Sequence, residues 1–170
     1  MSTDAGPNEL LDMSSPELKQ QSYALLDRQL QSLLAGERDC IANLAQFSAL
    51  VFQAVPGLNW AGFYLLRDAR LVLGPFQGKV ACVRIPVGRG VCGACAESLE
   101  VQLVPDVHAF PGHIACDSAS NSELVLPVLV DGRLAAVFDL DSPQLARFDE
   151  LDAQGFQAMV STLVAGTDWP

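Results

Sequence analysis

The stretch Glu123–Asp141, ELVLPVLVDGRLAAVFDLD, decides the fold. Two apolar runs flank Asp131-Gly132, a pair suited to a two-residue turn because both central positions need positive φ. The expectation is an antiparallel hairpin. In its second arm, side chains alternate between faces, so Asp139 and Asp141 share one face while Phe138 and Leu140 share the other. Glu123 opens the first arm. A regular ladder through the Asp-Gly turn sets Glu123 opposite Leu140, away from both aspartates. If the three acids share one pocket, the ladder must be irregular, and Pro127, which interrupts strand pairing, is the expected place.

Working outward, WAGFYLLRD and RLVLGPF form a second hairpin around Asp68–Arg70, ACVRIPV a further strand and VQLVPDV a short one. GRGVCGACAESLE has the form of a glycine-led turn into a short helix. Three longer helices bracket these strands. The first starts with Ser15 as N-cap and Pro16 at the first helical position, repeats Tyr23, Leu26, Leu30 and Leu33 or Leu34 at helical spacing, and stops at Gly36. The second covers about 40–53 and the last about 148–165. This pattern is α+β with an antiparallel sheet. The expected organisation is a loose tail over residues 1–13 and one domain over 14–166. The long segment 108–121 reads as a loop, and loops of that length in a small domain usually work.

The 170 residues carry a net charge of −10. The sequence pI is about 4.4 and the mean hydropathy +0.26. Such a charge repels nucleic acid and anionic membranes, so neither is expected as a partner. No apolar run approaches the roughly 20 residues that span a bilayer. The first residues are acidic and lack a signal-like apolar segment, so a cytoplasmic protein is expected. Between Ala69 and Ala96 there is no acid, yet Arg70, Lys79, Arg84 and Arg89 fall there. This basic stretch reads as a solvated face that can also lower the pKa of nearby thiols.

Five cysteines, Cys40, Cys82, Cys92, Cys95 and Cys116, are an odd number in an expected cytoplasmic setting, so a structural disulfide framework is not expected. Cys92 and Cys95 make a CxxC. A zinc site needs about four ligands, and no second CxxC or paired histidine motif accompanies them. No metal and no cofactor are expected, and the pair reads as small residues packing a helix. Cys116 differs. It sits among small polar residues in GHIACDSASNSE, where it is either a chance loop cysteine or a reactive thiol. Trp60 and Tyr64 lie on one strand face with Gly62 between them. They are either ordinary core or the walls of a pocket for a small apolar group, with Gly62 leaving room.

Taken together, NWAGFYLL, GPFQGKVACVRIPVGRGVCG, DVHAFPGHIACDSASNSE, LVLPV and FDLDSP resemble the free methionine-(R)-sulfoxide reductases, which are stand-alone GAF domains. The resemblance runs from about Ser14 to Leu163. It implies a GAF-like antiparallel sheet of about six strands with helices on both faces. It implies Cys116 as the attacking cysteine, Cys82 as the resolving one and Cys92 as an auxiliary third. It implies Trp60 and Tyr64 as pocket aromatics. Glu123, Asp139 and Asp141 match the acids that hold the amino acid and the sulfoxide oxygen. The implied partners are free methionine sulfoxide and a dithiol reductant such as thioredoxin. A homodimer is expected, with Leu30, Leu33, Leu34 and the last helix as candidate surfaces. Cys95 and Cys40 have no counterpart in the resemblance. Two rival readings are a ligand-sensing GAF module and a thiol switch without turnover. An acid-lined pocket opposes a phosphate ligand, and a switch has no need of Trp60 beside the acids.

Overall fold

The computed structural model of the chain describes residues 9–114, 116 and 118–170. Among them the elements run α1 (Pro16–Leu34), α2 (Cys40–Ala54), β1 (Trp60–Arg67), β2 (Arg70–Gly78), β3 (Arg84–Pro86), α3 (Gly90–Ser98), β4 (Gln102–Val104), β5 (Ser122–Val130), β6 (Arg133–Ser142) and α4 (Glu150–Ala165). A single 3-10 turn, Val107–Ala109, stands in the described part of the long loop.

Local chemistry accounts for most boundaries. The Ser15 hydroxyl accepts the Leu18 N–H and Pro16 opens α1, satisfying the exposed first turn. Asp39 accepts the Ala42 N–H at the start of α2. Asp149 and Asp152 form a reciprocal capping box, so α4 begins at Glu150, two residues later than the apolar spacing suggests. Both hairpins turn through residues of positive φ, Asp68 and Ala69 in one, Asp131 and Gly132 in the other. The expected strand ACVRIPV shrinks to Arg84–Pro86, the three residues that pair with Arg70–Val72 of β2.

The six strands form one sheet in the order β3-β2-β1-β6-β5-β4, with every neighbouring pair antiparallel. One face carries α1, α2 and α4 over a core in which Phe47, Phe63, Phe138 and Phe156 are fully buried. Phe138 sits at the centre, with ring centroids 4.8 Å from both Phe47 and Phe63. Burying side chains of this size contributes roughly 1.5–3 kcal/mol each. The other face carries α3 and a smaller core of Trp60, Tyr64, Val91, Cys92, Cys95, Val125 and Val137. Helices therefore cover both faces, three on one and one on the other.

A buried ionic cluster ties α1 to α4. Lys19 Nζ lies 3.0 Å from Asp152 Oδ2 and 3.1 Å from Asp149 Oδ2. The Tyr23 hydroxyl donates to the other Asp152 oxygen, and Arg147 approaches Asp152 at 3.5 Å. Leu30 and Leu34 are buried in this chain's own core, which leaves Leu33, 42% exposed, as the outward leucine of that set. Of the stretch 1–13 expected as a loose tail, residues 1–8 lie outside the described residues. Leu11 is buried, and its N–H donates to the Ala54 carbonyl at 2.9 Å.

Candidate active site

Register decides which side chains meet. In the β5–β6 hairpin Leu129 pairs with Leu134, but Val128 pairs with Ala136, so Ala135 is an extra residue in β6. This bulge flips the pairing beyond it: Glu123 faces Asp141 and Val125 faces Asp139. The expected irregularity exists, but it lies at Val128/Leu129 and not at Pro127, which pairs with Val137. The proline sits in the ladder, and the extra residue belongs to the opposite arm.

β1 adds the third side of the site. Trp60 pairs with Asp141, Gly62 with Asp139 and Tyr64 with Val137. Residues directly opposite share a face, so Trp60, Tyr64, Glu123, Asp139 and Asp141 all point to the α3 side of the sheet. They line one cavity with Cys92 and Cys116, open to solvent and with a free volume of about 40 Å³. Trp60 and Tyr64 stack with centroids 5.8 Å apart. Gly62 does not leave a gap for a ligand. A Cβ there would overlap the Phe76 Cβ and come within 2.9 Å of the Trp60 ring. Phe76 fills that space, stacked on Trp60 at 5.2 Å.

The two aromatics also hold the segment that carries Cys82. Trp60 Nε1 donates to the Lys79 carbonyl and the Tyr64 hydroxyl donates to the Cys82 carbonyl, both at 3.1 Å. Cys82 and Cys116, 34 residues apart in the chain, are joined by a disulfide with their Cα atoms 5.6 Å apart. Cys40, Cys92 and Cys95 remain free thiols.

A family model for the GAF domain matches residues 42–166. The free methionine-R-sulfoxide reductase of Escherichia coli (strain K12) is 53% identical over 154 residues, spanning 89% of this chain and 93% of that protein. The chain belongs to the free methionine-R-sulfoxide reductase family of GAF domains. Solved structures of the family superpose closely. That of Neisseria meningitidis in complex with its substrate is 43% identical, covers 92% of each chain and gives a TM-score of 0.86. The reduced form from Staphylococcus aureus is 45% identical, covers 85% of this chain and 94% of that one, and gives a TM-score of 0.83.

In this member of the family the acids are not equivalent. Burial pushes the Glu123 carboxyl well above the usual carboxylate range, and the charges of Asp139 and Asp141 push it further. Glu123, set beside both aspartates, is therefore the acid of this group that most readily keeps a proton. Asp139 is pushed up to about 6, again by burial first, with hydrogen bonds from Glu123 and Cys92 acting against the rise. Its Oδ1 has no hydrogen-bond partner among the described residues. A buried carboxylate oxygen without a donor calls for a cation or an N–H group. Cys92, Glu123 and Asp139 present ligand atoms within 4.8 Å of one another, so the same corner can take a metal ion or an ammonium.

The thiols separate as well. Burial, then the acids, raise Cys92 well above an ordinary thiol, and its Sγ lies 3.9 Å from Glu123 Oε1. Burial pushes Cys95 up to about 12. Both stay protonated at neutral pH and are poor nucleophiles. Sequence reading missed Phe76, His113, Ile114 and Ser120, and it named Arg89 only within the basic stretch. Arg89, His113, Ile114 and Ser120 line the cavity. His113 is the one with a signal in the chain, since it lies three residues before Cys116 in the same loop motif. Burial, then His108, lower the pKa of His113, so the ring is neutral near pH 7.

Proposed function

We propose that the chain reduces free L-methionine-(R)-sulfoxide to L-methionine, with Cys116 as the nucleophile. The observation that carries the reading is the Cys82–Cys116 disulfide at a cavity walled by Trp60 and three acids. Reduction of a sulfoxide needs a thiolate to attack sulfur and an acid to protonate oxygen, because oxide is a very poor leaving group. Cys116 attacks the substrate sulfur, and Glu123, which holds a proton, supplies it to the oxygen. The oxygen passes from the substrate sulfur to the Cys116 sulfur as the S–O bond and the transient sulfur–sulfur bond both break, so methionine leaves and Cys116 is a sulfenic acid. The Cys82 thiol then attacks Cys116 and water departs, leaving the disulfide. Two thiols and one sulfoxide thus become one disulfide, one thioether and one water.

Asp139 and Asp141 supply the negative charge that attracts the substrate ammonium, and the unpartnered Asp139 oxygen takes one of its N–H groups. Trp60 packs on the methyl end, and Tyr64 and Trp60 hold the Cys82 segment within reach. Cys92 is an auxiliary thiol beside Glu123. The R preference follows that of the named relatives. A protein dithiol such as thioredoxin reopens the disulfide. No helix among the described residues is long and apolar enough to cross a membrane. Three free thiols beside one cleavable disulfide suit the reducing cytoplasm as the setting. A homodimer would use α1 around Leu33.

The test is methionine release from free methionine-(R)-sulfoxide with dithiothreitol, for the wild type and Cys116→Ser. The wild type turns over and the variant does not. The (S) epimer and peptide-bound sulfoxide serve as specificity controls. Activity that survives the substitution removes Cys116 as nucleophile, and no release from the wild type ends the reading.

A further inference from the structure

Cys82 sits in a stretch unlike the rest of the surface. Val80 is 88% exposed, Val83 55% and Val87 37%, three apolar side chains within eight residues. β3, which follows Cys82, is an edge strand of the sheet. Lys79, Arg84 and Arg89 are exposed in the same stretch, and Arg70 pairs with Pro86 beside it. No acid occurs between Ala69 and Ala96, although the chain as a whole carries −10. Glu97, next to Gly88, bounds the patch on the α3 side. Cys82 and Cys116 are both half-buried, but Cys116 lines the cavity with Val80, whereas Cys82 lies outside that lining, between Val80 and the exposed Val83.

We infer that residues 79–89 form the docking surface for the protein reductant, and that the reductant attacks Cys82 and not Cys116. The identity of the occupant rests on the function proposed above. Its chemistry follows from the patch: an apolar face around an exposed dithiol, with an acidic rim to meet Lys79, Arg84, Arg89 and Arg70. Charge complementarity of this kind raises the association rate and suppresses wrong partners. The apolar centre excludes water around the exchanging sulfurs. The reductant's thiolate bonds to the Cys82 sulfur, the Cys82–Cys116 bond breaks, and Cys116 leaves as a thiolate ready for the next substrate. The second thiol of the reductant then displaces Cys82, leaving the reductant oxidised.

The experiment reads disulfide opening directly, without methionine sulfoxide. The pre-oxidised chain is mixed with reduced thioredoxin or with dithiothreitol, and the rate of opening is followed. Val83→Glu combined with Val87→Glu, and separately Lys79→Glu, are compared with the wild type. Opening by thioredoxin should slow at least about tenfold in the valine variant and severalfold in the lysine variant, while opening by dithiothreitol stays within about twofold. Added salt should slow the wild type with thioredoxin. A thioredoxin reduced to one cysteine should be captured on Cys82, as read by peptide mapping. Unchanged thioredoxin rates in both variants, or capture on Cys116, overturn the inference. A shift from dimer to monomer in the valine variant also overturns it, since a second copy would then own the patch. If thioredoxin opens the wild type and not the valine variant while neither releases methionine, the docking surface stands and the proposed activity fails.

Discussion

The Tyr64 hydroxyl donates a hydrogen bond to the Cys82 carbonyl at 3.1 Å, across 18 residues of chain. One side chain thus belongs both to the cavity and to the support of Cys82, the proposed resolving cysteine. Burial raises the Tyr64 pKa, so the hydroxyl keeps its proton throughout the physiological range.

Tyr64→Phe removes that support while leaving the ring stacked on Trp60. A single hydrogen bond of this kind contributes about 0.5–1.5 kcal/mol, or roughly 2- to 12-fold in a rate. The first methionine should be released at close to the wild-type rate, while closure of the disulfide slows by that factor. Trapping the Cys116 sulfenic acid with dimedone in a single turnover measures the difference. Equal trapping in wild type and variant would show that Tyr64 plays no part in positioning Cys82.

The pH dependence follows from the raised acids. Burial pushes Asp139 from the ordinary 3.8 up to about 6 in the folded chain, so the native state binds the extra proton. Its contribution is intact below the unfolded value and declines as pH rises from about 4 to about 6. A shift of this size is on the order of 3 kcal/mol. At fixed redox state, Asp139→Asn should raise the melting temperature at pH 7.5 and leave it nearly unchanged at pH 4, while substrate affinity falls. In the proposed mechanism Glu123 acts in its protonated form, so activity should decline on the alkaline side. Glu123→Gln should lower turnover by about a hundredfold or more and remove that limb from the pH profile.

Gly62→Ala tests the aromatic wall. The added methyl group meets the Phe76 Cβ and the Trp60 ring, both held in the smaller core. Overpacking of this kind destabilises by about 1–3 kcal/mol. The tilt it forces on Trp60 should raise KM for the sulfoxide more than it lowers kcat. Denaturant melts and steady-state kinetics read the two effects separately.

Far from the cavity, Asp152→Ala should be among the most damaging single changes. It strips partners from Lys19, Tyr23 and Arg147 and opens the α4 capping box. Breaking a buried pair from one side costs about 3–5 kcal/mol. Urea midpoints should fall sharply, with activity of the remaining folded protein unchanged. A midpoint within error of the wild type would mean that the cluster adds nothing to stability.

Much of this molecule was legible in its residue order. Ser15-Pro16 and Asp131-Gly132 carry their own geometry, since a cap or a turn is settled by a few neighbouring atoms. The alternation in VFDLD put Asp139 and Asp141 on one face for the same local reason. Three things were decided only in three dimensions. The bulge at Ala135 brought Glu123 round to the aspartates, because the pairing between two strands is a property of both arms and one extra residue reverses it. Phe76 took the space over Gly62, because a glycine records close approach without naming what approaches. The meeting of Cys82 with Cys116 across 34 residues needed the whole sheet, since only packing sets distances between segments that share no local contact.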